Sequence, residues 1–153
     1  MKTKTVGLTL ALTLIGGVVC WAGPEIGTWK VNESKSKFAE GATKNNKVVY
    51  EASGEMVKVT VDGTDSAGKA AHNEWVGKFD GKDYPVTGDP NFDMRSYTKV
   101  DDRTLDMTLK KDGKVVMTGK LVIAVDGKSR TVTTSGTNAK GEKMETTAVY
   151  DKQ

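Results

Sequence analysis

The chain is poor in the side chains that carry out chemistry. It has one cysteine, Cys20, one histidine, His72, and three prolines. A single cysteine near the start leaves no disulfide framework and no Cys-rich metal site. The lone histidine lacks a characteristically spaced set of further metal ligands. No Gly-x-Ser-x-Gly elbow, phosphate-binding loop or dinucleotide fingerprint occurs, so we expect a non-enzyme without cofactor or metal. Charge of one sign is missing too: "KVDDR" and "KKDGK" interleave both signs, which argues against a nucleic-acid or anionic-membrane surface.

Long apolar runs are also absent. The longest, Val6 to Val19, follows Lys2 and Lys4 and precedes "CWAGPE". About fourteen positions are too few to span a bilayer. With Cys20 and Ala22 at the third and first positions before Gly23, residues 1–22 read as a cleaved secretory signal, placing the mature protein in the periplasm or medium. A second reading makes Cys20 the lipid-bearing first residue of a lipoprotein, but Val19 stands where a small residue usually precedes such a cysteine, so cleavage before Gly23 is preferred. The mature chain, residues 23–153, then has no cysteine and no transmembrane segment. Its 21 basic and 20 acidic residues give a net charge of +1.

What the chain has is turns. Asp80-Gly81-Lys82, Asp112-Gly113-Lys114 and Asp126-Gly127-Lys128 repeat one tripeptide, and Gly54, Gly68 and Gly141 continue the spacing of 13 or 14 residues. Each interval accommodates one strand and a tight turn. Val, Thr, Met, Tyr and Trp alternate between the turns without a helical period. The strands expected are 26–32, 46–53, 56–64, 70–80, 93–100, 103–111, 114–125, 129–137 and 142–150, with a short tenth at 83–86. A meander of this kind closes to remove its edges. The fold class expected is all-β, an up-and-down antiparallel barrel of eight to ten strands forming one domain.

One hairpin can be tested for register. A two-residue Asp112-Gly113 loop would set Leu109 against Val116 and mix the faces. A three-residue loop, Lys111-Asp112-Gly113, would set Leu109 against Val115 and Met107 against Met117, and the apolar pattern prefers it. The Asp126-Gly127 hairpin stays open, because "RTVTTSGT" has Thr or Ser on both faces. The same Thr residues either face water inside a cavity or lie outside for their β propensity.

Gly27-Thr28-Trp29 opening the first strand, followed by Gly-turned strands and the closing "AVYDKQ", resembles the calycin group of lipocalins and intracellular fatty-acid-binding proteins. The mature chain is similar in look to small secreted bacterial lipocalin-like proteins. The resemblance implies a barrel with a ligand cavity, plugged at one end by Gly27 and Trp29. It departs from the fatty-acid-binding branch in two ways. Ala148 stands where that branch has an arginine two places before the final tyrosine, so only Tyr150 carries over. "ESKSKFAEGATKNN" replaces the two-helix lid and has room for one helical turn near 34–40. Lys152 is the cation available to lie over Trp29.

If a cavity exists, its candidate lining is Trp75, Phe79, Tyr97, Met107, Met117 and Tyr150. Arg95, Tyr97 and Lys99 share one strand face, which presents either a cationic anchor inward or a solvated stripe outward; outward is preferred, since Met94, Ser96, Thr98 and Val100 form the less charged side. His72 and Glu74 share a face, opposite Trp75 and Phe79. Two functions from different classes follow. One is a carrier of a small apolar or amphipathic molecule. The other is a protein-binding or structural module whose interior is filled by side chains.

Overall fold

A computed structural model describes residues 23–137 and 140–153; the leader, and with it the signal-peptide and Cys20 readings, lies outside the described residues. Ten strands follow in order: β1 (Gly27–Val31), β2 (Lys44–Ser53), β3 (Met56–Thr64), β4 (Ala70–Gly77), β5 (Tyr84–Thr87), β6 (Met94–Asp101), β7 (Thr104–Lys111), β8 (Lys114–Ile123), β9 (Ser129–Thr137) and β10 (Lys143–Lys152). Each pairs with its neighbours in sequence, and β1 closes on β10. The expected all-β up-and-down barrel is present, including the short tenth strand. The helical turn expected near 34–40 is a single 3-10 turn, Glu33–Lys35.

Alternation of side chains explains the strands. On β3, Val59 and Val61 are buried while Lys58, Thr60 and Asp62 lie on the other face. The outer face of β3 and β4 carries a ladder of exposed pairs, Lys58 with Glu74 at 2.9 Å and Asp62 with His72 at 2.7 Å. Solvent and salt screen such exposed pairs, so they contribute little to stability. The barrel rests instead on its interior, where Trp29, Tyr50, Val59, Trp75, Tyr97, Leu105, Leu121, Ile123 and Tyr150 form one buried cluster.

The β7–β8 hairpin corrects the sequence reading. Lys111 pairs with Lys114, so the loop is the two-residue Asp112-Gly113. Both loop residues have positive φ, 49° and 76°, the backbone of the type I′ turn that Asp-Gly favours. The extra residue that aligns the apolar faces lies further along β8: Lys110 pairs with Val115 but Leu109 with Met117, leaving Val116 as a bulge. Gly136 makes room for that bulge, since a Cβ there would stand 2.6 Å from the Val116 carbonyl oxygen. The Asp126-Gly127 hairpin is settled by its ladder, which sets Ile123 against Arg130 and Leu121 against Val132. Thr134 and Thr146 therefore pair inside, against the cavity, while Thr133 is exposed outside.

An up-and-down barrel puts alternate connections at opposite ends. At one end lie the start of β1 and the connections β2–β3, β4–β5, β6–β7 and β8–β9; at the other lie β1–β2, β3–β4, β5–β6, β7–β8 and β9–β10. The first end is closed. Trp29 is fully buried there and donates its indole N–H to the Glu25 carbonyl at 2.8 Å. The Lys152 ammonium sits 5.1 Å from the ring centre and donates to the Pro24 carbonyl. Gly27, at φ 131°, lets Lys152 cross close to the chain, because a Cβ would stand 2.8 Å from its Cε. Gly27 and Trp29 thus lie together at the closed end of the barrel.

Candidate functional site

The interior of the barrel holds a cavity of about 580 Å³, within the usual range for small-molecule sites. Apolar and sulfur-bearing side chains from β6 to β10, among them Met107, Leu109, Met117, Val132 and Met144, form much of its wall. Phe38 and Ala42 of the β1–β2 connection, Ser66 of the β3–β4 turn, and Asp89 and Phe92 of the β5–β6 connection line its other end. These connections all belong to one end of the barrel, which makes it the mouth.

Four of the six expected lining residues, Tyr97, Met107, Met117 and Tyr150, do line the cavity. Trp75 and Phe79 do not. Trp75 is buried with its indole N–H on the Arg95 carbonyl at 2.9 Å. Phe79 stacks on it at 6.2 Å, with 6° between the rings, and both meet Tyr97 edge to face. The aromatic payload of "EWVGKF" goes into packing at the closed end, because Trp75 and Phe79 are late on β4 and in the β4–β5 connection.

Arg95 also corrects the sequence reading. It points inward, is 4% exposed and lines the cavity with Tyr97. One of its terminal nitrogens donates to Asn73 Oδ1 at 3.0 Å, and the Asn73 amide donates in turn to Asp89 at 3.3 Å. Charge counting along the strand put Arg95 outside; its cross-strand partner Leu109 and its neighbour Tyr97 hold it inside.

Sequence reasoning missed the most distinctive group. Arg130, on β9, is 2% exposed and also lines the cavity. Its guanidinium carbon lies 4.7 Å from the Trp29 ring centre, 4.7 Å from that of Tyr50 and 5.0 Å from that of Tyr150. Its Nε and Nη1 are buried without a hydrogen-bond partner. Among the described residues, no ion pair involves Arg95 or Arg130; the pairs present use surface lysines and His72. The available signal was alternation, since Val132 shares Arg130's face and is the one large apolar residue of "SRTVTTSGT".

Tyrosine hydroxyls complete the polar part. Tyr50 and Tyr97 share a hydrogen bond at 3.1 Å across the interior. Burial, with Tyr97 beside it, pushes the Tyr50 phenol well above its ordinary range, against the opposing pull of the Arg130 charge. Burial pushes Tyr150 up to about 12, again opposed by Arg130. Both phenols are therefore neutral donors at neutral pH. His72 is exposed on the outer face of β4, with Asp62 at 2.7 Å and Glu74 at 3.8 Å. Among the described residues, no group of three or more His, Cys, Asp or Glu is placed to hold a metal ion, and no helix is long and apolar enough to cross a membrane.

Fold and cavity together define an up-and-down ten-stranded barrel with a hollow, partly cationic interior. The sequence matches no protein-family description and no curated protein. Among solved structures it is similar to EF1p2_mFAP2b bound to DFHBI, with a TM-score of 0.50 and 14% identity over 85% of this chain and 94% of that one. A redesigned β-barrel, mFAP1, bound to DFHBI, aligns with a TM-score of 0.47 and 16% identity over 84% and 95%. At such identity the first likeness speaks to the fold alone.

Proposed function

We propose that this protein is a carrier, exported to the periplasm or medium, that binds a small apolar or amphipathic molecule inside its barrel. The observation that carries this reading is the cavity of about 580 Å³, lined by apolar and thioether side chains with a few convergent polar groups. A module with a filled interior would place side chains in that space. A barrel of similar fold, EF1p2_mFAP2b, is bound to DFHBI; that likeness adds only that the architecture is compatible with an internal ligand. The position of His72 on the outer face, away from the cavity, favours binding over catalysis. Export rests on the leader pattern of residues 1–22.

Native mass spectrometry of protein purified from its own periplasm or medium tests the proposal, with tryptophan and tyrosine fluorescence across a panel of lipophilic acids, alcohols and aromatic compounds. We expect a co-purifying small molecule or a saturable fluorescence change. Neither appearing would remove the carrier reading.

A further inference from the structure

Residues 23–153 contain no cysteine and five methionines. Three of these, Met107, Met117 and Met144, line the cavity, whereas Met56 and Met94 do not. Leucine fills apolar space as well as methionine does, so sulfur chemistry is what sets this wall apart. The ladder gathers the three thioethers on one inner face. Met117 pairs with Gly136, and Gly136 pairs in turn with Met144. Met107 pairs with Gly119, Gly119 with Thr134, and Thr134 with Thr146.

The two glycines leave open space beside the thioethers. A Cβ on Gly119 would stand 2.9 Å from Met107 Cε and 3.1 Å from Thr134 Cγ2, so the end of the Met107 side chain lies over that gap, near Thr134. A Cβ on Gly136 would stand 3.3 Å from Met117 Cβ. Met117 and Met144 are close to the mouth, since the β7–β8 and β9–β10 connections both lie at that end. Thr134 and Thr146 line the cavity too. Thr146 Oγ1 accepts from the Ala39 N–H at 3.1 Å and, as a hydroxyl, has a proton to donate. The wall thus sets oxidisable thioethers next to hydroxyl donors, in a space suited to an apolar occupant.

We propose that the barrel reduces apolar organic hydroperoxides, with Met107, Met117 and Met144 as the reacting thioethers. The proposal rests on the carrier reading and gives its occupant a reactive class. A sulfur lone pair attacks the terminal peroxide oxygen: an S–O bond forms, the O–O bond breaks, and its electron pair leaves on the alkoxide oxygen. The proton on the transferred oxygen passes to that alkoxide, by way of the Thr134 or Thr146 hydroxyl. The hydroperoxide is reduced by two electrons to an alcohol, and the thioether is oxidised by two to a sulfoxide. No other reductant enters, and each thioether reacts once. The sulfoxide is polar, so the altered wall holds the apolar product less well. Hydrogen peroxide gains nothing from an apolar cavity and reacts first where methionine meets solvent, as Met56 does on the outer surface at 37% exposure.

Met56 therefore serves as a reference inside the same molecule. The full-length mature protein is treated with cumene hydroperoxide or with hydrogen peroxide, and oxygen uptake at each methionine is followed by peptide mass mapping. With cumene hydroperoxide, Met107, Met117 and Met144 should be oxidised about ten- to a hundredfold faster than Met56, through the proximity that binding provides, with one cumyl alcohol formed per sulfoxide. Hydrogen peroxide should reverse the order. Cumyl alcohol, which binds without reacting, should slow the three cavity residues and leave Met56 unaffected. A chain carrying Met107→Leu, Met117→Leu and Met144→Leu keeps the side-chain volume; it should bind cumyl alcohol and lose the fast phase. If that variant fails to fold, the wild-type map still decides. Met56 reacting as fast as the cavity residues with cumene hydroperoxide, while cumyl alcohol binds and changes tryptophan or tyrosine fluorescence, would overturn the reductant and leave the carrier intact. No binding of cumyl alcohol, together with no co-purifying molecule, would remove both.

Discussion

Replacing Trp29 by alanine asks whether the closed end of the barrel is a structural plug. The indole is fully buried, is absent from the cavity lining, and lies under both the Arg130 and Lys152 cations. Truncating a buried tryptophan costs roughly 3–5 kcal/mol through lost transfer energy and the cavity left behind. The indole N–H bond to Glu25 contributes about 1 kcal/mol more, and the cation contacts about 0.5–1 kcal/mol each. These terms share atoms and do not add fully, so the expected loss is about 4–6 kcal/mol. That is a large part of the stability of an ordinary domain. Urea denaturation followed by far-ultraviolet circular dichroism measures it: the midpoint should fall by about 2 M with little change in slope. Trp29→Phe keeps most of the apolar volume and should lose roughly half as much. A Trp29→Ala protein within about 1 kcal/mol of wild type, yet unable to bind ligand, would refute the plug and return Trp29 to the binding site.

Tyr150 makes stability depend on alkaline pH. Its folded-state pKa of about 12 lies above the ordinary 10.0, so its contribution is complete below about pH 10 and is lost as pH rises through about 12; two units correspond to about 3 kcal/mol. Tyr150→Phe should reduce that alkaline loss in urea titrations at successive pH values, and an unchanged pH profile would count against the buried neutral phenol. Gly136→Ala should destabilise by about 1–3 kcal/mol, since its Cβ meets the carbonyl of the Val116 bulge at 2.6 Å; a neutral effect in thermal unfolding would show that the bulge can move. Removing residues 1–22 should leave the melting temperature unchanged, and a lower one would contradict their reading as a leader.

The architecture was legible because the signals that specify it are local. Asp-Gly turns at intervals of 13 or 14 residues and period-two alternation are properties of neighbouring residues, and they located all ten strands. The end position of Gly27 and Trp29 was implied by the resemblance that the short Gly-x-Trp motif carries, and the fold places both residues at the closed end. Register was less so: a tight Asp112-Gly113 turn and a bulge at Val116 bring the apolar faces together as a three-residue loop would, and only the cross-strand ladder distinguishes them.

The candidate site was legible in part. Met107 and Met117 were placed by alternation and Tyr150 by the resemblance, while Tyr97 was named although its strand face was preferred outward; whether an inward aromatic lines a hollow or fills an end depends on its height along the barrel, and that height decided against Trp75 and Phe79. Arg95 and Arg130 show the limit most clearly. Along one strand a charged residue reads as outward, because an isolated charge is costly to bury. Closure of ten strands brings Trp29 of β1 and Tyr50 of β2, from the other end of the chain, to join Tyr150 of β10 around one guanidinium on β9. The sequence by itself determined an all-β up-and-down barrel. The cationic floor of its cavity was decided by tertiary structure, since Trp29 and Tyr50, unlike the hairpin partner Tyr150, reach the buried arginine only when the barrel closes.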